Sequence, residues 1–243
     1  MNKSGLSQEK LKIIACVTML IDHFAVVLLG KFFPNAGFRA ELYQICRIIG
    51  RLAFPIFCFL LAEGAYHTRN PKKYALRLAI GAALAELPYD LAFYGGWTMA
   101  HQNVMVTLLL GFCAVEVMKR LPEIWQKVLI CLPFAFVARY LHTDYGYKGV
   151  LLIAIFALTR ELPRRHLWQG LGIWFVFSPN HAMALNWLSG AGIGIMLQEW
   201  AVLAIIPIAL YSGEKRSENK ALQWAFYMFY PAHILALYLI GRL

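Results

Sequence analysis

Apolar runs recur along all 243 residues of the chain, separated by short polar or basic loops. At about 20 residues per bilayer crossing, with allowance for short ones, they predict helices near 12–31, 45–65, 74–94, 103–118, 127–141, 147–159, 167–178, 185–211 and 222–241. The pattern predicts an all-α fold: a polytopic transmembrane helical bundle of about nine spans, with eight or ten fitting nearly as well. The count turns on Leu185 to Leu210, which reads as one long span or as two broken near Gln198 and Glu199. One tilted or kinked element, softened by Gly190, Gly192, Gly194 and Pro207, keeps the charged loops alternating. No repeat, low-complexity tract or soluble domain interrupts the series, so residues 1–243 read as a single transmembrane domain.

Composition agrees with the pattern. Sixty per cent of residues are apolar and 15% charged, outside the range of ordinary soluble domains. The first run follows Lys3, Lys10 and Lys12, is too long for a signal-peptide core and is expected to stay in the protein. A net charge of +10 points to nucleic acid in some soluble chains. Here the cations fall in short loops without interleaved aromatics, so no nucleic-acid partner is expected. Basic loops at 69–77, 119–127 and 160–165 alternate with loops poor in Lys and Arg, which makes the amino terminus cytoplasmic. Cys16, Cys46, Cys58, Cys113 and Cys131 lie inside apolar runs without Cys-x-x-Cys spacing and read as packing residues; no metal is expected.

Ionisable groups within the apolar runs are the informative residues, since each is disfavoured in hydrocarbon by roughly 2.5–3.5 kcal/mol on insertion scales. They are Asp22 and His23 on the first run, Arg47, Arg51 and Glu63 on the second, Glu86 and Asp90 on the third, then Glu116, Arg139, Asp144, Glu199 and His233. Arg47 and Arg51 are one turn apart at a depth that matches Glu86 and Asp90, so these pairs are expected to neutralise one another. Asp22 stands about 100° around the helix from His23, and its partner is expected on another helix. His23 reads either as a core imidazole or as a proton acceptor.

On the cytoplasmic side, Glu63, His67, Arg69, Lys72, Lys73 and Arg77 gather around a turn marked by Asn70-Pro71. The cations serve topology alone, or they form an anion site at the start of a helix beginning at Pro71. P-loop, nucleophile-elbow and zinc-protease motifs are absent from the sequence. His101, His142 and His181 read as interfacial residues.

The blocks "LKIIACVTMLIDHFA", "IGRLAFPIFCFLLAEGAYHTRNPKKYALRLAI", "ELPYDL", "NVMVTLLLG", "DYGYKGVL" and "FYPAHILALYL" resemble, in order and from first span to last, the TraX family, named for the acetylase of F-type pilin. That family is distantly similar to multi-span membrane acyltransferases. The pattern falls on Asp22 and His23, on Gly50 and Arg51, on Glu63, His67, Arg69, Tyr74 and Arg77, on Thr107, on Asp144, Tyr145, Gly146 and Gly149, and on Pro231 and His233. Glu86 departs from it, which leaves the role of Glu86 open.

The resemblance implies a multi-pass acyltransferase of the bacterial cytoplasmic membrane that uses acetyl-CoA. His23 is then expected as general base with Asp22 and Arg51 beside the chemistry. Glu63, His67, Arg69, Lys72, Lys73 and Arg77 are expected to hold the donor, and Asp144, Tyr145 and His233 the acceptor. The expected partners are the lipid bilayer and a pilin-like peptide or a surface glycan. A transporter or channel, and a fibre-assembly protein without catalysis, are the rival expectations.

Overall fold

The computed structural model describes residues 5–34, 37–177, 193–213 and 220–243. Lys3, His181, Leu185, Gly190 and Gly192, which figure in the sequence reading, lie outside them. The described elements are α1 (Gln8–Val27), α2 (Leu29–Phe32), α3 (Arg39–Gly50), α4 (Ala53–His67), α5 (Pro71–Phe93), α6 (Val104–Met118), α7 (Ile124–Tyr140), α8 (Gly146–Thr159), α9 (Arg165–Phe177), a 3-10 helix (Ile193–Ala204), α10 (Ile205–Ala209) and α11 (Lys220–Ile240). Among the described residues β pairing is confined to isolated bridges, so the fold is all-helical as the apolar runs predict.

Local chemistry sets several helix starts. The hydroxyl of Ser7 accepts from Lys10 N–H at the start of α1, and Asn103 accepts from Met105 N–H at the start of α6. At α5 the Asn70 side chain accepts from Lys73 N–H and Pro71 occupies the first turn, as the Asn-Pro pair implies.

Helix lengths bear on the span count. Among the described residues one helical stretch, Arg39–His67, 29 residues through α3 and α4, is long and apolar enough to cross a membrane. At 1.5 Å per residue, α6 to α9, with 15, 17, 14 and 13 residues, extend about 20–26 Å, less than a hydrocarbon core of about 30 Å. The helices α1 and α5 have the length, but charge interrupts them: Glu9, Lys10, Lys12 and Asp22 in one, Lys72, Lys73, Arg77, Glu86 and Asp90 in the other.

The chain divides into two compact units. Residues 1–57 and 163–216 form one, in which α1 packs on α3, and both α3 and α9 pack on the 3-10 helix. Residues 58–162 and 217–243 form the other, in which α5 packs on α11 and α6, and α6, α7 and α8 pack on one another. Small side chains let that trio approach: Ala114, Ala135, Ala138 and Val150 form its buried core with Leu110 and Phe134 against it. A Cβ on Gly111 would collide with Ile153. Each unit also presents large apolar side chains outward, with Phe175 70% exposed in the first and Phe136 69% exposed in the second.

Candidate functional site

In the first unit, α1 and α3 come into close contact at Asp22 and Gly50. A Cβ at position 50 would overlap the Asp22 carboxyl group, so only glycine lets the two helices meet there. The approach brings Asp22 under two arginines. Arg47 donates through Nη1 to Asp22 Oδ2 at 2.8 Å, and Arg51 donates through Nη2 to Oδ1 at 3.1 Å and Oδ2 at 3.3 Å. The Arg51 guanidinium is further held by Nε donating to the Arg47 carbonyl at 3.2 Å. Water is largely excluded, the side chains of Arg51, Asp22 and Arg47 being 6%, 12% and 23% exposed.

The trio therefore sets two guanidiniums against one carboxylate in a low-dielectric setting, where such bonds are short and strong. It also corrects the pairing expected from depth. Asp22, on α1, is the partner of Arg47 and Arg51. Glu86 instead accepts from the backbone N–H of Asn103 at 3.3 Å and from its side-chain amide, and Asp90 accepts from Thr98 N–H at 3.0 Å. The expectation that Asp22 pairs with another helix holds. His23, half-buried, follows it on α1.

The second unit holds the other expected residues in three groups. Buried Glu63 faces Arg160 Nε at 3.2 Å and His67 Nε2 at 3.5 Å. The Arg160 guanidinium lies 4.9 Å from the ring centre of Tyr66, and Lys119 donates to the Ala65 carbonyl at 2.7 Å. Sequence reasoning assigned Arg160 to a loop and missed it. Its link to Glu63 spans almost a hundred residues and carries no local signal.

Arg69, Lys72 and Lys73 are exposed about the start of α5. Arg77, one turn further, is half-buried, its guanidinium 5.5 Å from the Tyr74 ring centre and 5.7 Å from that of Tyr227. The buried Arg77 Nε has no hydrogen-bond partner among the described residues.

The third group surrounds the turn into α8, where Tyr145 adopts φ +63°. Asp144 N–H donates to the Gln102 carbonyl at 2.8 Å, and the Thr107 hydroxyl contacts both the Thr143 hydroxyl, at 2.7 Å, and the Asp144 carbonyl. His233 is buried on α11, with Nδ1 donating to the Phe229 carbonyl at 2.7 Å and its ring stacked on Phe229 at 4.7 Å. That backbone bond fixes Nδ1 as the protonated nitrogen. Among the described residues no group of three His, Cys, Asp or Glu side chains could hold a metal ion.

Comparison with known proteins covers nearly the whole chain. The family described as TraX protein matches residues 7–241. The "Probable fimbrial assembly protein FimC, serogroup H1" of Dichelobacter nodosus is 29% identical over 252 residues, 95% of this chain and 94% of that protein. An uncharacterised protein of Rickettsia prowazekii (strain Madrid E) is 30% identical over 108 residues, 44% of this chain and 36% of its own length. No solved structure matches the chain.

Proposed function

Because the chain belongs to the TraX family, we propose that it is a multi-pass protein of the bacterial cytoplasmic membrane that transfers an acetyl group from acetyl-CoA to an exported acceptor. In this reading residues 1–243 act as one membrane domain of about nine spans with a cytoplasmic amino terminus. The outward apolar side chains, Phe175 and Phe136 among them, support a lipid surround. The relative's name, that of a probable fimbrial assembly protein, supports an acceptor among surface fibres, and in this reading a pilin-like peptide or a surface glycan supplies the amine or hydroxyl.

The observation that carries the catalytic reading is the Asp22, Arg47 and Arg51 trio, next in sequence to His23. Acyl transfer needs a base for the acceptor and a cation for the oxyanion. His23 takes the proton as the acceptor nitrogen or oxygen bonds to the thioester carbon; the carbon–sulfur bond then breaks, and the proton passes to the departing thiolate. Arg51 stabilises the tetrahedral oxyanion, a task worth about 3–4 kcal/mol for single donors in other enzymes. Asp22 holds Arg51 in place. The donor's phosphates are assigned to Arg69, Lys72, Lys73 and Arg77, with Glu63 and His67 shaping that end of the second unit. Asp144, Tyr145 and His233 are assigned to the acceptor.

Isotopically labelled acetyl-CoA supplied to membranes containing the wild type or His23→Ala tests the chemistry. Label is expected in the acceptor only with the wild type, and equal transfer by both proteins rules out His23. The relative's name also favours a second reading, fibre assembly without catalysis, which predicts no binding of acetyl-CoA at all.

A further inference from the structure

Two carboxylates of the second unit have no part in the reading above. Glu86 and Asp90 lie one turn apart near the end of α5, on either side of Pro88, which lacks an N–H and leaves a carbonyl of the preceding turn without its helical donor. Each carboxylate uses one oxygen and leaves the other open. Glu86 Oε2 accepts from Asn103, and Asp90 Oδ2 from Thr98 N–H. Glu86 Oε1 and Asp90 Oδ1 are buried without a hydrogen-bond partner, and Asp90 is 0% exposed. Among the described residues neither carboxylate has a Lys, Arg or His nitrogen within 4.0 Å.

A buried carboxylate oxygen with no donor loses hydration without compensation. Two of them on one helix face, repelling each other, concentrate that cost and create a field that a positive ligand relieves. The surroundings suit an organic cation. Tyr89 follows Pro88 on the same turn of α5, and Tyr230 is buried on α11, which packs on α5. Tyr89 in turn stacks its edge on Phe93 and Tyr94, at 5.2 and 5.7 Å between ring centres. Carboxylates with aromatic rings beside them are the surroundings in which ammonium groups are recognised.

We propose that the open oxygens of Glu86 and Asp90 form a binding site for a primary ammonium group. The site stands apart from acetyl transfer, since it is occupied without a donor. The ammonium comes from the amino terminus of a peptide or from an ethanolamine lipid headgroup, which share the chemistry.

The full-length protein in detergent is titrated with ethylammonium chloride against sodium chloride at equal ionic strength, with no acetyl-CoA present. Saturable binding is expected for the wild type and for the surface control Glu161→Gln, with affinity lower by roughly tenfold or more in Glu86→Gln/Asp90→Asn. No saturable binding, or equal binding by the double variant, overturns the site. If the double variant does not fold, the wild type carries the test: ethylammonium must raise its thermal midpoint above that in sodium chloride, and equal midpoints overturn the proposal. A peptide with a free or acetylated amino terminus, and vesicles of phosphatidylethanolamine or phosphatidylcholine, then separate the two sources of ammonium. Loss of label transfer in His23→Ala with ammonium binding intact keeps this site distinct from the catalytic reading.

Discussion

The Asp22 carboxyl group occupies the space that a Cβ on Gly50 would fill, which makes the absence of a side chain at position 50 the condition for the ion trio of α1 and α3. Gly50→Ala must push the helices apart or turn Asp22 out of its bonds to Arg47 and Arg51. Overpacking of this kind costs about 1–3 kcal/mol, and the lost charge pairing adds to it. Gly30→Ala is the control, because a Cβ there meets nothing within 4 Å and should change stability by no more than about 0.5 kcal/mol. Thermal unfolding of both variants in detergent checks the contrast, and equal midpoints would remove the close approach as a stabilising feature.

Charge balance in the same trio gives a second prediction. Asp22→Asn keeps the shape but leaves the Arg47 and Arg51 guanidiniums facing each other without their carboxylate. Breaking a buried pair from one side typically costs about 3–5 kcal/mol, and the partial exposure of Arg47 moves the expected loss toward the lower figure. Adding Arg47→Gln to Asp22→Asn should recover part of it, because one of the two stranded cations is gone. A double-mutant cycle on unfolding free energies reads the coupling. Strict additivity would show that the two residues do not interact.

In the second unit the fully buried Thr107 hydroxyl joins the Thr143 hydroxyl to the Asp144 carbonyl at the turn into α8. Thr107→Val preserves volume and strips those bonds. The stranded polar atoms should lower stability by about 1–3 kcal/mol, and hydrogen exchange at Asp144, Tyr145 and Gly146 should accelerate with it. Unchanged exchange at the turn would mean that backbone bonds alone, such as Asp144 N–H to the Gln102 carbonyl, hold it.

Much of this was legible along the chain, and the limits follow from range. Apolar runs marked where helices lie, and Asn70-Pro71 marked the start of α5, because caps act over three or four residues. The ions Asp22, Arg47, Arg51 and Glu63 stood out because charge in an apolar run requires a reason. Their partners were not legible. Matching Arg47 with Glu86 by depth assumes which helices touch, whereas contact is decided by small residues such as Gly50 that a depth argument ignores. Glu63 with Arg160 is a pairing of the same kind, set by packing within the second unit. The runs at 103–118, 127–141, 147–159 and 167–178 match α6 to α9 to within three residues at each end, and what the run pattern does not decide is whether helices of 13–17 residues cross a bilayer.

The basic turn gives the last prediction. Arg69, Lys72 and Lys73 are exposed and Arg77 is half-buried, a gradient from solvent to interior along the first turns of α5. Exposed cations are screened beyond about 8 Å at physiological salt, so their part in holding phosphates should weaken as salt rises, while that of Arg77, sheltered by Tyr74 and Tyr227, should persist. Acetyl-CoA affinity is therefore expected to fall with ionic strength in the wild type. In Arg69→Gln/Lys72→Gln/Lys73→Gln it should be weaker and less dependent on salt, and in Arg77→Gln weaker with the salt dependence of the wild type. Equilibrium binding of labelled acetyl-CoA across a salt series measures all three. Affinities that do not differ among the proteins would leave the turn with the single task of fixing topology, and no binding by any of them would favour fibre assembly without an acetyl donor.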